Sequence, residues 1–317
     1  SARHMSGLCC VITLWRGSCN QWDCDEMGHM NVRLYIEKQM EGLAAFSHEL
    51  AMPHAFRDDA PSTLVPVDQH VRFIREVLPG RPISMNGCVV SVGTSDAVFY
   101  QELRHSDGAL SAAYLTRVAH IDTKGREAFP WSTRARMALE AHIDTPPAEA
   151  APRSFDPNAP TLATEDIRIE TARDLGIPLI GKGIVPQHHI DVHGRMAPGW
   201  IIGRISDSVP NLLYEWRKQV AEAAGGVRMG AAVLENRLRY HRWPKAGDAF
   251  EIHTSLGGTA EKTHSLVHWM MDPETGLPWA TSQVIAITLD LDARKAIPSP
   301  PKMLEDLERL APRGLSL

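Results

Sequence analysis

The residues with the clearest capacity for chemistry lie in one stretch, QWDCDEMGHMNVRLY, from Gln21 to Tyr35. It holds two aspartates, Asp23 and Asp25, a Gly28-His29 step and Asn31, and it runs straight into an amphipathic segment. Asn at that place suits a helix N-cap, and the first N–H groups of a helix have no partner within it. Asp25, six residues before Asn31, can fold back over the helix end. An attacking oxygen then stands beside free N–H groups and the positive end of the helix dipole, which suits attack on a carbonyl. Gly28 lets the loop bend sharply, and His29 offers a donor to a carbonyl or carboxylate.

The flanking elements must hold this loop. Residues 8–19 (LCCVITLWRGSC) read as a first strand. Val32 to Met52 carries Ile36, Met40, Leu43 and Leu50 at helical spacing, with Glu37, Lys38 and Glu41 outside. Four strand-like runs follow, Thr63–Val77, Pro82–Gly93, Asp96–His105 and Ala109–Asp122, separated by Pro79-Gly80, Gly93 and Asp107-Gly108. A strand, a long helix and a four-strand meander make an α+β layout, in which a curling sheet buries the helix. Ser132–Ile143 reads as a further helix, and a Pro- and Ala-rich linker follows.

The second half repeats the first. A strand-like IGKGIVPQHHID leads into HGRMAPG, then a helix from Pro198 to Ala224 and strands at Met229–Trp243, Asp248–Leu256, Thr263–Met271 and Pro278–Leu291. Gln21 and Gly28 return as Gln187 and Gly194, an offset of 166; Phe73, Arg75 and Gly80 return as Tyr240, Arg242 and Gly247, an offset of 167. Asp122, Arg126 and Pro130 return as Asp290, Arg294 and Pro298, an offset of 168. The expected organisation is an N-terminal domain over 5–145, a linker over 146–160 and a C-terminal domain over 161–317. Ser1–His4 read as a cloning remnant before Met5, without the layout of a signal peptide.

The chain of 317 residues is 44% hydrophobic and 22% charged, with net charge −5. It has no apolar run near the roughly 18 residues of a membrane span. The acidic balance argues against nucleic-acid binding. Five cysteines, Cys9, Cys10, Cys19, Cys24 and Cys88, show no CxxC spacing, so reduced thiols in a cytoplasmic protein are expected.

Asp23-Cys24-Asp25-Glu26-Met27-Gly28-His29-Met30-Asn31, with Tyr35 beyond, resembles the DxDxxGHxN…Y signature of hotdog-fold acyl-CoA thioesterases of the 4-hydroxybenzoyl-CoA thioesterase type. Pro244 to Asp248 is similar to that family's region after the helix. The resemblance covers nearly the whole chain as a tandem, or double, hotdog. It implies paired domains with acyl-CoA in the cleft between them, and Asp25 acting as nucleophile or as general base for water. It also implies a backbone amide near Val32 polarising the carbonyl. Coenzyme A enters as part of the substrate, no separate cofactor is expected, and such chains can associate as homo-oligomers. The second Asn often found in GHxNN is Val32 here.

A thioester needs an attacking oxygen and an oxyanion donor, and its thiol leaves with little help. The two copies differ on the second count. Asp191 matches Asp25, but Val32 returns as Pro198, which starts a helix well and has no N–H to offer. The first half is therefore expected to hold the working site, with His189, Asp191 and His193 as its weaker counterpart. His189 and Asp191 would share one side of a strand. No Cys or Glu cluster completes a ligand set around His188, His189 and His193, so hydrogen-bonding histidines rather than a metal are expected.

Gln69 and His70 fall where the long strand would face the partner half. Arg72, Arg75, Arg239 and Arg242 are of the type that meets coenzyme A phosphates. Trp15, Trp22, Met30 and Tyr35 are of the type that shapes an acyl pocket or packs a core. Two rivals remain: a hotdog enoyl-CoA hydratase or dehydratase, suggested by HGRMAPG at His193–Gly199, and a non-catalytic acyl-CoA binding module.

Overall fold

The computed structural model describes residues 12–156 and 159–317. The start of the expected first strand, Cys9, Cys10 and part of the linker lie outside them. Two compact units, Ser1–Arg153 and Ser154–Leu317, divide within the 146–160 segment.

The first unit runs β1 (Ile12–Ser18), α1 (Val32–Glu49), β2 (Ser62–Phe73), β3 (Pro82–Val92), β4 (Asp96–His105), β5 (Leu110–Asp122) and α2 (Thr133–Ala141). Its strands lie in the order β1-β3-β4-β5-β2, antiparallel throughout. Helix α1 begins because Asn31 accepts the Arg33 N–H at 2.9 Å. It packs Leu43 and Phe46 inward, with Phe46 edge-on to Phe99 of β4 at 5.6 Å. Gly42 lets the helix lie this close: a Cβ there would stand 2.4 Å from Met85 Sδ and 2.7 Å from Gln101 Nε2.

The second unit runs α3 (Ile169–Asp174), β6 (Leu179–Ile184), α4 (Pro198–Ser208), α5 (Pro210–Ala223), β7 (Met229–Tyr240), β8 (Ala249–Thr259), β9 (His264–Met271), β10 (Pro278–Asp290), β11 (Lys295–Ile297) and α6 (Pro301–Leu310). The order β7-β10-β9-β8-β6 repeats the first unit's order read from β2. The duplication reaches single backbone angles: Arg126 and Arg294, non-glycine residues, adopt φ of 59° and 50° at matching turns.

Several expected boundaries change. The Pro198–Ala224 helix is two helices, because Pro210 has no N–H to continue the ladder and its ring crowds the preceding turn. The strand through IGKGIVPQHHID stops at Ile184, and Gln187–His189 form a 3-10 turn after Pro186. Strand alternation therefore does not place His189 and Asp191 on one side. Strand β2 ends at Phe73 rather than Val77, since Ile74 and Arg75 N–H both donate to Ser111 O and the chain bends away. His241 and Arg242 do the same on Trp279 O. Helices α3 and α6 were not anticipated; both are short, and α3 covers the outer sheet face through Ile169 and Ala172.

Candidate functional site

The site grows from the turn between β1 and α1. Residues Gln21–Asp23 form a 3-10 turn, after which Asp25 N–H donates to His29 O at 3.0 Å and Gly28 N–H to Asp25 O at 3.0 Å. Gly28 takes φ 76°, the left-handed conformation that this tight turn needs. The loop is sealed onto the helix by Asn31 N–H to Asp23 O, and onto the segment after β2 by Met30 N–H to Val77 O at 2.8 Å.

The two aspartates separate by role. Asp23 is buried, and its Oδ2 accepts the Asn20 N–H at 2.8 Å with Lys38 Nζ 3.9 Å away; it holds the turn. Asp25 is half-buried, with Oδ1 accepting the Met27 N–H at 2.9 Å and Oδ2 lying 3.4 Å from His29 Nε2. The other face of the His29 ring meets Glu76, Nδ1 to Oε1 at 3.5 Å. At that distance Nδ1 makes no hydrogen bond, and the contact is an ion pair when His29 is protonated. Burial pulls the His29 pKa down, but the hydrogen bond and charge of Asp25 and the charge of Glu76 outweigh it, so His29 is held above its ordinary value.

Val32 is the first residue of α1, where a helix leaves N–H groups without an intrahelical acceptor. Asp25, His29, Asn31 and Val32 thus come together as one loop and helix start. Glu76 joins them although sequence reading missed it. Its one sequence signal is the contrast with Trp243, which stands at its place in the second copy.

The remaining expected residues lie elsewhere. Tyr35 is core: it meets Phe73 edge-on at 5.1 Å, and burial pushes its phenol upward, so it stays protonated near neutral pH. Gln69 is fully buried, its amide donating to Gln39 Oε1 at 2.9 Å and to Thr116 Oγ1 at 3.3 Å, while Gln39 and Gln101 bond each other. His70 is buried on β2. Arg72 donates to the carbonyls of Glu149 and Ala151, and Arg75, past the strand end, pairs with Asp107 at 2.9 Å. Met30 is buried, whereas Trp22 is 80% exposed at the tip of the turn.

In the second copy Asp191 repeats the loop, with Asp191 N–H to Arg195 O and Gly194 at φ 73°. Its carboxylate is occupied differently. Oδ1 accepts the N–H of His193 and of Arg195, at 2.8 and 3.1 Å, and Oδ2 accepts Arg195 Nη2 at 3.0 Å. His189 is buried and stacks on Trp200 at 3.7 Å. Ala197 replaces the capping Asn, and Pro198 replaces Val32. Among the described residues, no group of three or more His, Cys, Asp or Glu is arranged to hold a metal ion. Nor is any helix among them long and apolar enough to cross a membrane.

The chain matches the family model of the thioesterase-like superfamily over residues 19–139 and 185–307. Its fold is similar to that of the 12:0-ACP thioesterase from Umbellularia californica, with 12% identity, TM-score 0.64 and coverage of 86% of this chain and 93% of that one. It is also similar to an acyl-ACP thioesterase from Bacteroides thetaiotaomicron, with 13% identity, TM-score 0.60 and coverage of 86% and 96%. At such identities the likeness is one of fold, a double hotdog with an antiparallel sheet in each unit, packed by the long helix α1 in the first and by α4 and α5 in the second. Comparison with curated proteins by sequence gives no match.

Proposed function

Because the chain belongs to the thioesterase-like superfamily, with both halves matched, we propose that it hydrolyses an acyl-CoA thioester to a free acid and coenzyme A, using the first-copy loop. Family membership supports thioester hydrolysis; the acyl-CoA substrate and the residue roles are this proposal's own. The observation that carries it is the Asp25–His29–Glu76 cluster set against the start of α1.

Asp25 acts on the thioester carbonyl, as nucleophile or as general base for water. The Val32 N–H and the positive end of α1 receive the developing oxyanion, a kind of contact worth about 3–4 kcal/mol. His29, its pKa held above the ordinary value by Asp25 and Glu76 against the pull of burial, steadies Asp25 and, when protonated, presents a positive charge beside the departing thiolate. Glu76 positions His29. Asp191 is a poorer candidate because a permanent cation and two backbone donors already occupy its oxygens. The same occupancy weighs against hydration chemistry at His193–Gly199.

The test is release of free acid and thiol from a panel of short, branched, aromatic and long acyl-CoAs, with acyl-ACP run in parallel, beside Asp25→Asn. No release from any substrate would sink the reading and leave a binding module. A single turnover in ¹⁸O-water tests the nucleophile role of Asp25: label entering the protein carboxylate marks a mixed anhydride opened at the Asp25 carbon.

A further inference from the structure

Two thiols flank the turn that carries the acidic loop. Cys19 Sγ and Cys24 Sγ lie 3.6 Å apart across the Gln21–Asp23 turn, and Cys24 Sγ also points at Asn20 O at 3.4 Å. Both are free, Cys19 fully buried and Cys24 half-buried. Their counterparts in the second copy are Val185 and Ile190, so the pair belongs to the first loop and not to the fold as such. A disulfide needs its sulfurs at about 2.05 Å, an approach of roughly 1.5 Å from this arrangement.

We propose that Cys19 and Cys24 form a peroxide-driven disulfide that switches off the neighbouring loop. The half-buried Cys24 thiol reacts first: its sulfur attacks hydrogen peroxide, giving Cys24 sulfenic acid and one water. The Cys19 sulfur then displaces hydroxide from that sulfur, closing the S–S bond and releasing a second water. Each sulfur gives up one electron, and the peroxide oxygens take both. Burial first, then the adjoining Cys24 and Asp23, push the Cys19 thiol up to about 12 against the pull of Lys38, so ring closure is slow at neutral pH and quickens as pH rises.

The effect on chemistry rests on the thioesterase reading and follows from the backbone. Cys24 lies between Asp23, whose carbonyl is bonded to Asn31 N–H, and Asp25, whose N–H is bonded to His29 O. Drawing its sulfur toward Cys19 pulls on the segment between those bonds and moves Asp25 relative to Val32. A misplacement of about 1 Å at reacting groups can cost on the order of 10²-fold in rate.

The experiment treats the full chain with hydrogen peroxide and maps disulfide-linked peptides by mass spectrometry, with acid release followed by chromatography. The expected result is a peptide pair joined through Cys19 and Cys24, with activity falling by about 10²-fold and returning with dithiothreitol. Cys19→Ser and Cys24→Ser should each keep basal activity and lose the peroxide response. Cys24→Ser alters the less buried site, so it remains informative if Cys19→Ser folds poorly. Absence of the Cys19–Cys24 link, or inhibition that persists in both variants, overturns the proposal; so does a link that leaves an active enzyme unaffected. If the reduced chain releases no acid from any substrate, the thioesterase reading has failed, and the peptide map still decides whether the thiol pair closes.

Discussion

The two copies of the acidic loop share a backbone and differ in what they hold. Asn31 and Ala197 have nearly the same conformation, φ −62°, ψ 142° and φ −66°, ψ 142°, yet only Asn31 offers a side-chain oxygen to the helix. Asp25 faces a histidine that can gain or lose a proton; Asp191 faces an arginine that cannot. Glu76 supports the histidine, whereas Trp243 lies against Arg195 at 5.8 Å. The turn geometry, which Gly28 and Gly194 enforce, is common to both copies, while the titratable ring beside the loop aspartate belongs to the first copy and the arginine to the second.

The sharpest way to break this contrast is to exchange the carboxylates. Asp25→Asn should lower kcat on the order of 10³-fold, the scale of a lost base or nucleophile, while Asp191→Asn should stay within about twofold. The opposite pattern in a steady-state assay would assign the work to the second copy.

Glu76→Gln should cost about tenfold in kcat, equivalent to ~1.4 kcal/mol. It should also lower the His29 pKa, since a cause that raises it is removed. A folded-state value above the ordinary one means that the His29 contacts stabilise fully below the unfolded pKa and lose that contribution as pH rises through the folded value. In Glu76→Gln that loss should begin at lower pH, which a histidine NMR titration and denaturation at several pH values would both register.

The sheet interiors offer another contrast. Gln101 of the first unit returns as His268, fully buried and pushed by burial down to about 3. The unfolded chain takes up this proton below about 6.5, while the folded chain resists it until about 3, so stability is lost as pH falls through that window. His268→Gln should flatten the decline in denaturation midpoints over that range.

The caps give the smallest effects. Asn31→Ala should cost about 1 kcal/mol, and Ala197→Asn, placed on the same backbone, should gain about 0.5–1 kcal/mol by chemical denaturation. Pro198→Ala should leave kcat within about twofold, because restoring an N–H beside an occupied Asp191 does not create a site.

Much of this was legible in the chain itself. The near-constant offset between copies, the α+β order, Asn31 as a cap and Gly28 as the bend all follow from short-range rules of φ, ψ and hydrogen bonding. Boundaries failed where a tertiary contact or a proline intervened: β2 stops early because two N–H groups share Ser111 O, and the second long helix breaks at Pro210. Candidate binding residues were harder to read. An arginine or glutamine in or beside a strand-like run has the same signature whether it meets a ligand or, like Arg75 and Gln69, another side chain.

By itself, then, the sequence determined the duplication, the caps and the place of Asp25 ahead of a helix, since each depends on neighbours a few residues away. Only the tertiary structure decided that Glu76, 47 residues from His29 in the chain, closes on the same ring. It likewise decided that Asp23 serves the turn while Asp25 stays available, and that Cys19 and Cys24 stand within reach of each other. Those meetings depend on how the end of β2 bends toward the loop and how the turn packs under α1, and no local spacing encodes such through-space distances.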